Sequence, residues 1–200
     1  GLLVSEQPNT GGIDKYAYDP LNPVITLGGN NCCGTPTDAG PADQRPIERR
    51  EDVLVYSSDF LTAPLTIAGP VKIKLFAATD AKDTDWMIKL IDVYPDGKSM
   101  PVSEGILRAK FREGLDSPRL LNPGQVYEYN IEMTGTANVF LPRHRIRIDI
   151  TSSNFPQFDR NPNTGAPLGT SAETRVAQQS IYHGNTYPSH VLLPVVRAVE

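Results

Sequence analysis

The sequence predicts an all-β fold, a two-sheet jelly-roll β-sandwich, on three observations. Short apolar or alternating runs recur along the chain, separated by Pro, Gly and Asp. No segment of about 12 residues carries the apolar spacing of an amphipathic helix. Where the alternation is clearest it has period two: Val71, Ile73 and Leu75 oppose Lys72 and Lys74, and Ile146, Ile148 and Ile150 oppose Arg145, Arg147 and Asp149. One dry face and one wet face is the pattern of an antiparallel sheet in a sandwich.

Taken in order, residues 1–50 read as a long irregular N-terminal arm. Repeated Gly, Pro and Asn interrupt any helix or central strand there, while Tyr16, Tyr18, Val24, Ile25 and Leu27 supply apolar area to tie it down. A segment this long is expected to lie across something large, either its own sheet or another domain. Residues 51–200 read as the sandwich, and the two parts together as one structural domain. Its strands are expected at 52–58, 65–69, 71–79, 86–94, 106–112, 126–133, 144–152, 179–183 and 189–197. Asp96-Gly97 provides a hairpin turn, and Pro123-Gly124 provides a turn with its first dihedral fixed by proline. The polar stretch 154–165, NFPQFDRNPNTG, follows the most strand-like run in the chain and predicts a shaped loop at the rim of a sheet, suited to binding or docking.

Composition narrows the function. Nineteen Lys and Arg against 23 Asp and Glu give a net charge of -4, with no basic helix or stripe and no zinc-finger spacing, so nucleic acid is not an expected partner. Apolar runs are too short to span a membrane, and the first residues lack the charged start and apolar centre of a secretory signal, which leaves a cytoplasmic or an exported parent protein open. No G-x-S-x-G, phosphate-binding Gly-rich loop, H-E-x-x-H or C-x-x-C occurs. No catalytic residue, metal or cofactor is therefore assigned.

The remaining polar residues read mainly as structural. His144 is expected at a strand end, with His183 and His190 near one turn. Asp80, Asp83 and Asp85 resemble a calcium loop in composition but not in spacing, so a solvated loop whose carboxylates cap turns is expected, with Trp86 starting a buried strand. Adjacent Cys32 and Cys33 predict two unpaired thiols, a mutual bridge being strained. The patch Asp43, Gln44, Arg45, Glu48, Arg49, Arg50 reads either as an arginine-carboxylate network fixing the arm or as a solvated run, and its place between arm and sheet favours the network.

A set of ordered stretches carries a resemblance across nearly the whole chain. These include YAYDPLNPVITLGG at 16–29, GPADQRPIERREDVLVYSS at 40–58, DTDWMIKLIDVYPDGKS at 83–99, NVFLPRHRIRIDITSSNFPQFDRNPNTG at 138–165 and IYHGNTYPSHVLLPVV at 181–196. In these the chain resembles the C-terminal domain of the X-Pro dipeptidyl-peptidase, cocaine esterase and α-amino acid ester hydrolase family. The resemblance implies a galactose-binding-like jelly roll appended to an α/β-hydrolase domain, whose Ser-His-Asp triad attacks an ester or amide carbonyl. No triad residue is carried onto this chain. What it implies here is an accessory domain that braces the catalytic domain and shapes its substrate entrance. Tyr16, Tyr18, Asp19, Asp43, Gln44, Arg45, Asn154, Phe155, Phe158, Asp159 and Arg160 are then expected as scaffold or interface residues. The partner would be the hydrolase domain, with self-association left open. The rival reading is a stand-alone carbohydrate- or protein-binding module, suggested by the Tyr-rich loop 182–187.

Overall fold

The computed structural model describes residues 1–30, 39–167 and 169–196; Cys32 and Cys33 lie outside them. The strands are β1 (Gly12–Tyr18), β2 (Leu54–Ser57), β3 (Leu65–Gly69), β4 (Lys72–Thr79), β5 (Asp85–Val93), β6 (Ser99–Arg108), β7 (Tyr127–Glu132), β8 (Thr136–Phe140), β9 (Arg145–Thr151), β10 (Ala177–His183) and β11 (His190–Leu192). A four-residue helix, α1 (Arg45–Glu48), and a 3₁₀ turn at Ala109–Phe111 complete the described elements.

All strand pairings are antiparallel. One sheet runs β1-β10-β4, with β11 sharing the same edge of β4 as β10 and β7 on the other edge. The second runs β2-β9-β5-β6, and β3 pairs with β8 as a ribbon. Between the two larger sheets lies one core, in which Ile73 and Leu75 of β4, Tyr129 and Ile131 of β7 and Ile181 of β10 meet Trp86, Ile88 and Leu90 of β5 and Ile146, Ile148 and Ile150 of β9. The predicted period-two faces are those that interlock here. Removing this apolar area from water is the main favourable contribution to folding, at roughly 25 cal/mol per Å².

The chain folds as an all-β sandwich. Four differences from the sequence reading have physical causes. Within the arm, Gly12–Tyr18 is a regular strand, an edge position where its neighbouring glycines cost little. The expected strand 106–112 begins earlier, at Ser99, and gives way to the 3₁₀ turn after Arg108. β8, with Thr136, Asn138 and much exposed surface, carries too weak an apolar signal to be read as a strand. The last expected strand is cut short because Pro194 lacks an N–H, leaving Val195 to bridge Ile67 alone.

A further correction concerns the outer face of the second sheet, which is not wet as the alternation suggests. Every residue of β5 is buried. Val24, Ile47 and Val53 form a second small core with Leu27 and Val55, so the arm covers that face, and Asp149 is buried with it.

Candidate functional site

The arm and the loop after β9 are stitched together by backbone. Phe155 N–H donates to Val24 O at 2.9 Å, Thr26 N–H donates to Phe155 O at 2.6 Å, and Ile25 bridges Phe155 in parallel register. Side chains reinforce the seam: Thr26 Oγ1 donates to Asn154 O at 2.9 Å, Val24 N–H to Ser153 Oγ at 2.8 Å, and Gln157 N–H to Thr26 Oγ1 at 3.2 Å. The Phe155-Pro156 peptide is cis.

Beneath the arm, the register of the second sheet sets Val55, Asp149, Lys89 and Glu104 in one cross-strand row. Gln44 enters from the residue preceding α1. It is fully buried, donates from Nε2 to the carbonyls of Leu27 and Ala42, both at 2.8 Å, and accepts from Lys89 Nζ at 2.9 Å. At the other end of the row, Glu104 accepts from Gln157 Nε2 at 2.6 Å and from Asn154 Nδ2 at 3.4 Å. The two sequence-predicted stretches, 43–45 and 154–160, thus meet through Lys89 and Glu104. Burial pulls Lys89 below its ordinary value and, aided by Glu48, pushes Asp149 up to about 8 against the opposing charges of Arg147 and Lys89.

The charged patch does form a network. Arg147 Nη1 donates to Glu48 Oε2 at 2.6 Å, and Glu48 also accepts from Ser99 Oγ. Arg50 binds Asp52 through Nε and Nη2 at 2.7 and 2.9 Å and reaches Asn22 O at 2.7 Å. Arg45 binds Asp43 at the surface, and this hydrogen bond holds the Asp43 carboxyl down at about 2.

The other predicted residues divide by place. Tyr16 and Tyr18 are core residues: Tyr16 Oη lies 2.9 Å from Ser152 Oγ, and burial raises both phenols. Asp19 caps its turn through Leu21 N–H at 2.9 Å. Phe158 N–H donates to Asn154 O. Exposed Asp159 offers its carbonyl to Arg108 at 3.4 Å, and Arg160 ties the loop to the arm through Pro20 O at 3.1 Å, its guanidinium over the Phe155 ring.

The acidic loop corrects the expectation of a solvated turn. Asp83 and Asp85 are buried: Asp85 accepts two hydrogen bonds from Arg108, at 2.9 and 3.0 Å, and one from Asn161 at 2.8 Å, while Asp83 meets Lys110. No group of three candidate metal ligands occurs among the described residues. His144 is paired with Asp92 at 2.8 Å, His183 with Asp14 at 3.3 Å, and His190 with Pro188 O at 2.6 Å, so the latter two share no bond. Tyr187 packs edge-on against Tyr182 and tilted against Phe76.

Sequence reading missed the part played by Lys89, Glu104 and Asp149; it named Phe155 as an interface residue but not the exposed Leu21 and Ile25. Leu21 is 68% exposed, Ile25 57% and Phe155 38%. These apolar side chains stand on the stitched segments, which the Arg160 to Pro20 bond draws together.

Fold and site define a class: an antiparallel β-sandwich whose N-terminal arm is stitched to the loop after β9. Over residues 1–192 the chain matches the X-Pro dipeptidyl-peptidase C-terminal non-catalytic domain, and it belongs to that family. It is 44% identical over 199 residues to the cocaine esterase of Rhodococcus sp. (strain MB1 Bresler), a match covering 98% of this chain and 34% of that protein. Among solved structures it is similar to an aminopeptidase from a marine sediment Thaumarchaeota archaeon, at TM-score 0.89 and 32% identity over 98% of this chain and 35% of the other. It is also similar to an α-amino acid ester hydrolase, at TM-score 0.84 and 33% identity over 92% of this chain and 33% of the other. The chain spans about a third of the length of these relatives.

Proposed function

We propose that this chain is the C-terminal accessory domain of an α/β serine hydrolase of the peptidase or acyl-esterase type, bracing the catalytic domain and shaping its substrate entrance. The Ser-His-Asp chemistry belongs to the partner domain. The observation that carries this reading is the exposed trio Leu21, Ile25 and Phe155 on backbone that the arm and the 154–160 loop hold fixed. A rigid apolar surface with a charged margin of Asp159 and Arg160 suits burial against a protein partner, with little ordering entropy to lose on contact. Against the sugar-binding alternative stands the tilt between Tyr182, Tyr187 and Phe76, whose rings pack on one another instead of sharing one plane.

The test is the encoded reading frame of the source protein together with intact mass and activity. A frame carrying an upstream G-x-S-x-G domain, and a full-length protein that hydrolyses an activated ester or an X-Pro anilide, is expected. A frame without any hydrolase domain would move the assignment to a binding protein.

A further inference from the structure

The row beneath the arm contains more negative than positive groups. Asp149, Glu104 and Glu48 face it as carboxylates, from β9, β6 and α1, while Lys89 of β5 and Arg147 of β9 are the cations. β2 contributes apolar Val55, and the arm's own contribution at the centre is uncharged Gln44. Arg50 with Asp52 and Arg45 with Asp43 are self-neutralising pairs at the arm's margins. With every group ionised, three carboxylates oppose two cations, with Asp149 and Lys89 buried and Glu48, Glu104 and Arg147 partly exposed.

The hydrogen bonds identify which carboxylate is in excess. Glu48 is held by Arg147 and Ser99, and Glu104 by Gln157 and Asn154. Lys89 donates a hydrogen bond to Gln44 Oε1, and no ion pair joins it to Asp149 among the described residues. Asp149 is buried, and its Oδ1 has no hydrogen-bond partner. A buried carboxylate in that position is far better tolerated as the neutral acid.

We propose that Asp149 is a pH-operated catch for the arm: as the neutral acid it allows residues 22–30 and 39–53 to lie closed over the second sheet, and its ionisation weakens that closure. The sign follows from linkage. With the arm open and Asp149 in water, the carboxyl titrates at its ordinary value, about 3.9; with the arm closed it titrates at about 8. The closed arm therefore binds the proton more tightly, and closure weakens as pH rises from the ordinary value toward 8; above that the Asp149 contribution is constant, and Lys89, which burial pulls below its ordinary value, acts in the opposite sense. Closure loses up to about tenfold per pH unit within that window. The seam through Val24, Thr26 and Phe155 is the structure that loosens, independently of any partner.

The experiment is amide exchange on the intact chain between pH 5.5 and 9, corrected for the intrinsic exchange rate and referenced to β5 amides. Protection at Thr26 and Phe155 is expected to fall at least about tenfold from pH 5.5 to 8. In Asp149→Asn, which keeps shape and removes the ionisation, that fall is expected to disappear. Parallel profiles in the two proteins would overturn the proposal. Carboxyl-carbon NMR of the unsubstituted chain gives an independent reading if the variant folds poorly: an Asp149 midpoint well above 4 supports the catch, and an ordinary midpoint overturns it.

Discussion

Gln44 carries no charge, yet among the described residues it is the side chain that joins the arm to the buried ammonium of Lys89. Gln44→Leu would keep most of the volume but leave Lys89 without its acceptor and two carbonyls without their donors. A loss of about 2 to 4 kcal/mol is expected by urea denaturation, because the orphaned buried groups cost more than the bonds themselves contribute. Asp85 offers a second case. Its burial raises its pKa even though Arg108 and Asn161 favour the charged form. Asp85→Ala should cost roughly 3 to 5 kcal/mol by stranding Arg108, whereas Asp85→Leu combined with Arg108→Met should cost less than the two single changes summed. Arg45 behaves differently because it lies in solvent. Arg45→Ala should lower stability slightly near neutral pH, where solvent screens the pair. Asp43, held at about 2 in the folded chain, contributes stability that is present above its ordinary value near 3.9 and lost as pH falls through about 2. Without Arg45 that acid-limb contribution should shrink, as measured by denaturation at pH 5 and pH 2.5.

Strands with one buried face were legible from their pattern. β4 and β9 alternate because their inner residues meet in a single core, and Ile148→Ala in β9 should cost about 2 to 5 kcal/mol by leaving a cavity between the sheets. The turn between β5 and β6 was legible from its chemistry, though the strand after it was expected only from residue 106. Gly97 has φ +85°, and an added Cβ would meet nothing within 4 Å, so Gly97→Ala isolates backbone strain. A cost of about 1 to 2 kcal/mol by thermal or urea denaturation is expected, without loss of the fold. β1 and β8 were not legible, since their edge or ribbon positions ask little of the side chains and the partner strand supplies the order. β5 misleads in the opposite sense. Lys89 in WMIKLIDV reads as a solvent-facing break in an apolar run, but the arm that covers it lies 45 residues away in sequence at Gln44.

The site was legible as two loops and illegible as a connection. Asp43 to Arg45 and Asn154 to Arg160 stand out for their charge and turn residues, yet only the strand register brings Lys89 and Glu104 between them, and one sequence carries no register across strands. Phe155 stood out with its loop, but Leu21 and Ile25 were hidden for a related reason: their exposure depends on which side of the seam each residue faces. At the scale of the whole molecule, the proposed accessory role predicts that this face is covered in the parent protein. Ile25→Asp in the full-length protein should lower its activity or its Tm while leaving the isolated chain's stability nearly unchanged, as read by activity assay and calorimetry on both. Amide exchange on the 200-residue chain alone and within the full-length protein tests the claim most directly. Slower exchange at residues 21–26 and 155–160 in the full-length protein is the predicted result, and identical exchange in both would contradict a partner domain on this face.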